Sequence, residues 1–288
     1  MNVSTIAVLG AGTMGRGIAY AAALGGFRTL LQDVSPAQLE AAREYIRGAL
    51  EEGCARGKVT PEQKKAALEQ LETRSSLEDA AHEADLIIEA VPEQMALKIE
   101  VFAALDRSAP PHALFASNTS SLSITEIAAA TRRPRQCLGM HFFNPVPKMK
   151  LLELVRGLET SDEAVAACRA VGERMGKEVV VVRDSPGFVT SRINALIGNE
   201  AFYLLEAGIA SAEDIDKALK LGLNHPMGPF ELVDLVGLDV RLSILEYLHR
   251  TLGEKYRPCP LLVRMVQEGR LGRKSGRGVY DYTSSRAK

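Results

Sequence analysis

The chain has 288 residues, is 46% hydrophobic, and balances 35 basic against 36 acidic side chains for a formal net charge of -1. That much apolar material fills one large core or two ordinary ones and excludes a disordered chain, while the neutral balance removes any global pull toward nucleic acid or an anionic membrane. Cys54, Cys137, Cys168 and Cys259 lack the paired spacing of a zinc site or disulfide framework, so no metal is expected, and no run approaches the roughly 18 to 20 apolar residues of a membrane span.

The first strand is predicted at Ile6 to Leu9, too early to leave room for a cleavable signal peptide, so a cytoplasmic protein is expected. A helix follows from Gly12 toward Leu24, then a strand at Arg28 to Gln32 and a helix from Pro36 to Cys54. Thr60, Pro61 and Gln63 form a cap, a first-turn proline and a reciprocal cap, which opens a further helix. Strands at Leu86 to Ala90 and Leu114 to Ala116 flank a helix spanning Gln94 to Asp106. Further strands are expected at Cys137 to Phe142, Leu151 to Val155 and Val179 to Arg183, with a helix from Ser161 toward Gly176 before the last. This alternation predicts an α/β domain with a mainly parallel, Rossmann-type sheet over residues 1–183.

From Asp184 the pattern becomes all-helical, predicting a smaller second domain over 184–288. Asp184 to Gly187 are read as the opening of a long helix with apolar residues Phe188, Ile193, Leu196, Ile197, Phe202 and Leu205, closing at Gly208. Helices starting at Ser211 and Gly228, with segments near 237–252 and 260–268, complete it; the tail from Thr283 to Lys288 is expected to fray.

Gly10, Ala11, Gly12, Thr13, Met14 and Gly15 follow the first strand and open the first helix. In that context the glycines give a tight turn, close backbone approach to a pyrophosphate and close helix packing, with the helix N-terminus facing the anion. Asp33 ends the next strand, 18 residues after Gly15, where a carboxylate binds ribose hydroxyls and repels a 2′-phosphate. No arginine follows immediately, so NAD is favoured over NADP. The same loop suits FAD, but the long additional segments of a flavoenzyme are missing.

Polar groups in apolar surroundings mark the chemistry: the run Ser117 to Ser121, His141 before two phenylalanines, and Glu153 between leucines. A carboxylate in such a run is buried and needs a partner, and His141 is the nearest suitable one. An ionised carboxylate fixes an imidazole's tautomer and stabilises its charged form, which suits the ring to take up a proton. The bland alternatives are an ion pair of Glu153 with Lys148 or Lys150, a cap by Ser120 for a helix before Ile124, and a solvated helix face for Lys98. His82, His112, His225 and His249 are read as structural or surface residues.

The loop at 10–15, the run Ile88 to Glu93, Ser117 to Ser121, His141 to Val146 and Pro226 to Phe230 together resemble the L-3-hydroxyacyl-CoA dehydrogenases. The likeness is to the short 3-hydroxybutyryl-CoA branch and runs on to Lys274 and Tyr280. It implies an NAD-binding domain followed by a helical domain that binds substrate and forms a homodimer. It assigns His141 as catalytic base, Glu153 as its carboxylate partner, and Ser120 as the hydroxyl touching substrate and nicotinamide. Glu93, Lys98, Asn144 and Lys274 match positions around the cofactor. Where many members place an asparagine against the reacting oxygen this chain has Ser191, and Asn194 on the same helical face is displaced by roughly 4.5 Å. Arg56, with Lys58 beside it, lies where contacts to the CoA phosphates would fall.

The activity so implied is oxidation of an L-3-hydroxyacyl-CoA to the 3-ketoacyl-CoA with hydride transfer to NAD. Three other readings stay open: a gulonate 3-dehydrogenase-like enzyme for a free hydroxy acid, a crystallin-like NAD-binding protein without activity, and the hydroxyisobutyrate type. The last expects a catalytic lysine on the long helix, and Phe188 to Leu205 contains none.

Overall fold

The structure, a computed structural model, describes residues 2–283; of the tail expected to fray, 284–288 lie outside the described residues. Contacts divide the chain into two compact units between Ser185 and Pro186.

The first unit is one eight-stranded sheet with helices on both faces. Its strands are β1 (Thr5–Leu9), β2 (Arg28–Gln32), β3 (Leu71–Arg74), β4 (Leu86–Glu89), β5 (Leu114–Ser117), β6 (Cys137–Phe142), β7 (Leu151–Arg156) and β8 (Glu178–Arg183), in the order β3-β2-β1-β4-β5-β6-β7-β8. All pairings are parallel except β6 with β7. β1, β4 and β5 are buried along their whole length, as expected of strands covered on both faces. One core cluster gathers Ile6, Ile18, Leu31, Ile88, Met140 and Leu154; the other gathers Leu9, Leu30, Ile87, Phe102 and Phe115.

The helices are α1 (Thr13–Leu24), α2 (Pro36–Ala55), α3 (Pro61–Glu69), α4 (Leu77–His82), α5 (Met95–Ser108), α6 (Ile124–Ala128) and α7 (Asp162–Arg174). The capping box expected at Thr60 and Gln63 forms: the Thr60 hydroxyl accepts from the Gln63 amide at 3.2 Å, and the Gln63 side chain accepts from the Thr60 amide at 2.9 Å. β3, α4 and α6 go beyond the predicted elements. β3 reads Leu-Glu-Thr-Arg with every residue half-buried, so it lacks the apolar signature of its neighbours; it is held as an edge strand by the ladder to β2.

The second unit is helical: α8 (Thr190–Glu206), α9 (Ala212–Gly222), α10 (Pro229–Val236), α11 (Leu238–Leu252) and α12 (Pro260–Gln267) surround Phe202, Phe230, Leu245, Leu248 and Leu262. α8 begins at Thr190 rather than at Asp184. Phe188 has φ +49°, a left-handed backbone that cannot continue a helix from its N-terminal side. Ser211 caps α9 as its sequence suggests, accepting from the Asp214 amide at 3.1 Å. No described helix is long and apolar enough to cross a membrane.

Candidate active site

Because β1, β2, β4, β5 and β6 run parallel, the loops that follow them emerge at one edge of the sheet. β1 is flanked by β2 on one side and β4 on the other, so the chain reverses its direction of travel there and leaves a crevice for a ligand. The register sets Leu9 beside Glu89, Glu89 beside Ser117 and Ser117 beside Gly139, which brings the loops after β1, β4 and β5 to one level, with β6 running three residues further.

The glycine loop fits a pyrophosphate. Gly10 has φ +93°, and a β-carbon there would lie 2.8 Å from the Ala90 carbonyl oxygen; one at Gly15 would overlap the Gly10 carbonyl. At Gly12 a β-carbon would meet nothing within 4 Å, and this N-cap of α1 carries no side-chain cap, so the amides of the first turn remain for an anion. Asp33 rims the loop, accepting from the Ala11 amide at 2.8 Å and the Ser35 amide at 2.9 Å. Its carboxylate is thereby oriented while each oxygen keeps a lone pair for a ribose hydroxyl.

Past β4 lies a charged chain. Glu89, with no exposed surface, accepts from Lys98 Nζ at 2.7 Å, the Val91 amide at 2.8 Å and the Ser117 hydroxyl at 2.6 Å. Lys98 also pairs with Glu93 at 3.3 Å. Glu93 in turn accepts from the Thr119 hydroxyl at 2.5 Å and the Ser120 amide at 3.0 Å. Lys98 is 1% exposed, which overturns the solvated-face alternative: the side chain turns inward because β4 ends on a buried carboxylate.

The Ser120 hydroxyl has no partner among the described residues, and Ser120 does not cap α6. Ser123 does, accepting from the Glu126 amide at 3.2 Å. Asn118 accepts from the Phe142 amide at 2.9 Å, tying this loop to the end of β6.

His141 and Glu153 lie directly opposite each other on the antiparallel pair β6 and β7, so both side chains project from the same face. His141 Nδ1 is 2.7 Å from Glu153 Oε2, with Glu153 wholly buried and His141 4% exposed. Glu153 does not pair with Lys148 or Lys150; the latter reaches Glu178 at 3.7 Å on the surface. The turn between the strands is held by Lys177 Nζ, which donates to the carbonyls of Val146 and Met149; burial holds this ammonium below its usual pKa.

Comparison with known proteins decides the family. The model described as "3-hydroxyacyl-CoA dehydrogenase, NAD binding domain" matches residues 5–185, and that described as "3-hydroxyacyl-CoA dehydrogenase, C-terminal domain" matches 187–282. The chain belongs to the 3-hydroxyacyl-CoA dehydrogenase family. It is similar to a "Probable 3-hydroxybutyryl-CoA dehydrogenase" of Bacillus subtilis, 51% identical over 98% of each chain. A 3-hydroxybutyryl-CoA dehydrogenase of Bradyrhizobium diazoefficiens is 46% identical over 99% of this chain and 97% of its own. Among solved structures, the (S)-3-hydroxybutyryl-CoA dehydrogenase of Ralstonia eutropha superposes with a TM-score of 0.95 at 43% identity, covering 98% of this chain and all of that one.

Within this family frame, the structure brings the glycine loop, Asp33, Glu93, Ser120 and His141 with Glu153 to one edge. Asn144 is exposed just after β6. Arg56 sits at the end of α2 and pairs with Glu52 at 2.6 Å. Ser191 and Lys274 lie in the second unit, Ser191 in the first turn of α8 and Lys274 paired with Asp239 at 2.6 Å. Sequence reasoning missed Glu89, Asn118 and Thr119 as individual residues. A glutamate closing the apolar run Leu86 to Ile88 was the available signal for the first; the other two act through contacts that no local pattern displays.

Proposed function

We propose that this chain catalyses the reversible NAD-dependent oxidation of L-3-hydroxyacyl-CoA to 3-ketoacyl-CoA, with the short 3-hydroxybutyryl-CoA as substrate. The observation that carries the assignment of roles is the buried His141 Nδ1 to Glu153 Oε2 contact of 2.7 Å at the cofactor edge. With Nδ1 committed to Glu153, proton transfer from the substrate hydroxyl falls to Nε2, and the carboxylate stabilises the imidazolium that forms. Ser120 offers its hydroxyl to orient the reacting oxygen. Bound NAD supplies the hydride acceptor. In the reverse direction the imidazolium returns its proton to the developing alkoxide.

The loop from Gly10 to Gly15 holds the pyrophosphate, and Asp33 binds the adenosine ribose and disfavours NADP. Glu93, Lys98, Asn144 and Lys274 are assigned to the cofactor's surroundings, Ser191 to the substrate oxygen and Arg56 to the CoA phosphates, all by family resemblance. A cytoplasmic homodimer that uses the second unit for dimerisation, acting in fatty acid β-oxidation or butanoate metabolism, completes the proposal.

The test is a spectrophotometric assay with acetoacetyl-CoA and either NADH or NADPH, alongside free acetoacetate. Turnover of the thioester with NADH is expected. Turnover of the free acid alone would move the enzyme to the hydroxy-acid class, and NADPH preference would remove the Asp33 argument.

A further inference from the structure

Ion pairs at full burial are poor sources of stability, because desolvation of the two charges offsets most of their attraction. The trio of Glu89, Lys98 and Glu93 therefore calls for another reason. Its contacts close a ring: Ser117 donates to Glu89, Glu89 holds Lys98, Lys98 holds Glu93, and Glu93 takes the Thr119 hydroxyl and the Ser120 amide. Within the loop, the Thr119 amide also donates to the Ser117 hydroxyl at 3.3 Å. The same ion chain thus grips the segment from Ser117 to Ser120 at both ends. Every member except Ser120 and Glu93 is buried, so water cannot substitute for a lost contact.

We infer that Glu89 is a positioning residue for the reaction: through Lys98 and Glu93 it fixes the backbone of Ser120, and with it the direction of the Ser120 hydroxyl. Glu89 touches neither substrate nor cofactor in this scheme. The inference rests on the reading of Ser120 as the orienting hydroxyl. Removing the charge of Glu89 leaves Lys98 with Glu93 as its sole anion, which draws Glu93 inward and away from the two donors that set the loop.

The experiment uses the full chain, with Glu89→Gln and Thr119→Val cutting the ring at opposite points. Parent turnover of acetoacetyl-CoA with NADH is measured first; its absence would count against the function and leave the variants uninterpreted as a test of geometry. Given an active parent, each variant is expected to lose about 10- to 100-fold in kcat, the scale of a misplacement of about 1 Å. KM for the thioester should stay within about threefold, since the loss falls on the transition state. The double variant should be no worse than about threefold below the lower single, because both changes break one ring. Either single retaining parent kcat, or losses that multiply in the double variant, would overturn the inference. Should Glu89→Gln fail to fold, Ser117→Ala opens the same ring with every charge in place and is held to the same kcat and KM criteria.

Discussion

Replacing Glu153 by Gln keeps the shape and the hydrogen-bond acceptor for His141 Nδ1 but deletes the buried charge. With charge centres about 4 Å apart and an effective dielectric of about 20, the pair's attraction is about 4 kcal/mol. The neutral amide still accepts a hydrogen bond worth about 1 kcal/mol, so about 3 kcal/mol of imidazolium stabilisation is lost. That corresponds to a fall in kcat of roughly 10²-fold. The deletion disfavours the charged ring, so ketone reduction, which needs the imidazolium, should slow as well. The assay is NADH oxidation with acetoacetyl-CoA, with NADH affinity measured separately to show an intact cofactor site. Turnover within about twofold of the parent would refute the reasoning, because a buried charge at 2.7 Å cannot be silent if the ring becomes cationic.

His141→Ala should fold and bind NADH while losing about 10² to 10⁴ in turnover, and undiminished turnover would remove the base assignment. Gly12→Ala should keep the parent melting temperature but weaken NADH binding in a fluorescence titration, since its β-carbon has room in the protein alone and intrudes only on the ligand; Gly15→Ala should instead lose thermal stability, because its β-carbon overlaps the Gly10 carbonyl. Asp85 provides a pH test. Burial raises its pKa, but the amides of Thr5 and Ser4, the Ser4 hydroxyl and His112 lower it more, to about 2 from 3.8. A depressed carboxylate stabilises the fold above its unfolded value and loses that contribution as pH falls through the folded one, so about 2 kcal/mol should disappear between about pH 4 and pH 2. Asp85→Asn should flatten that part of an acid-denaturation curve; an unchanged slope would contradict it.

The other strands of the first unit were legible because each is an apolar run between turn signals, and β3 was not because Leu71, Glu72, Thr73 and Arg74 carry no apolar run or alternation. Its place is set by the ladder to β2, a tertiary cause. The start of α8 was misread for a backbone reason: Asp184 to Gly187 look like a helix opening, yet the left-handed Phe188 postpones it. In the site, the apolar neighbours of Glu153 predicted burial and a need for a partner, but nothing local says that β7 runs opposite to β6 with position 153 facing 141. Lys98 illustrates the converse. On a helix it reads as a solvent-facing cation, and only the neighbouring strand's terminal glutamate explains its inward turn.

The reversed strand β7 has one more consequence. Side chains alternate faces along a strand, so a slip of one residue between β6 and β7 would send position 153 to the other side of the sheet. His141 and Glu153 are only twelve positions apart and meet across the antiparallel pair of β6 and β7. The proposed proton transfer is thus keyed to strand parity: a one-residue insertion or deletion in either strand would turn the two side chains to opposite faces of the sheet.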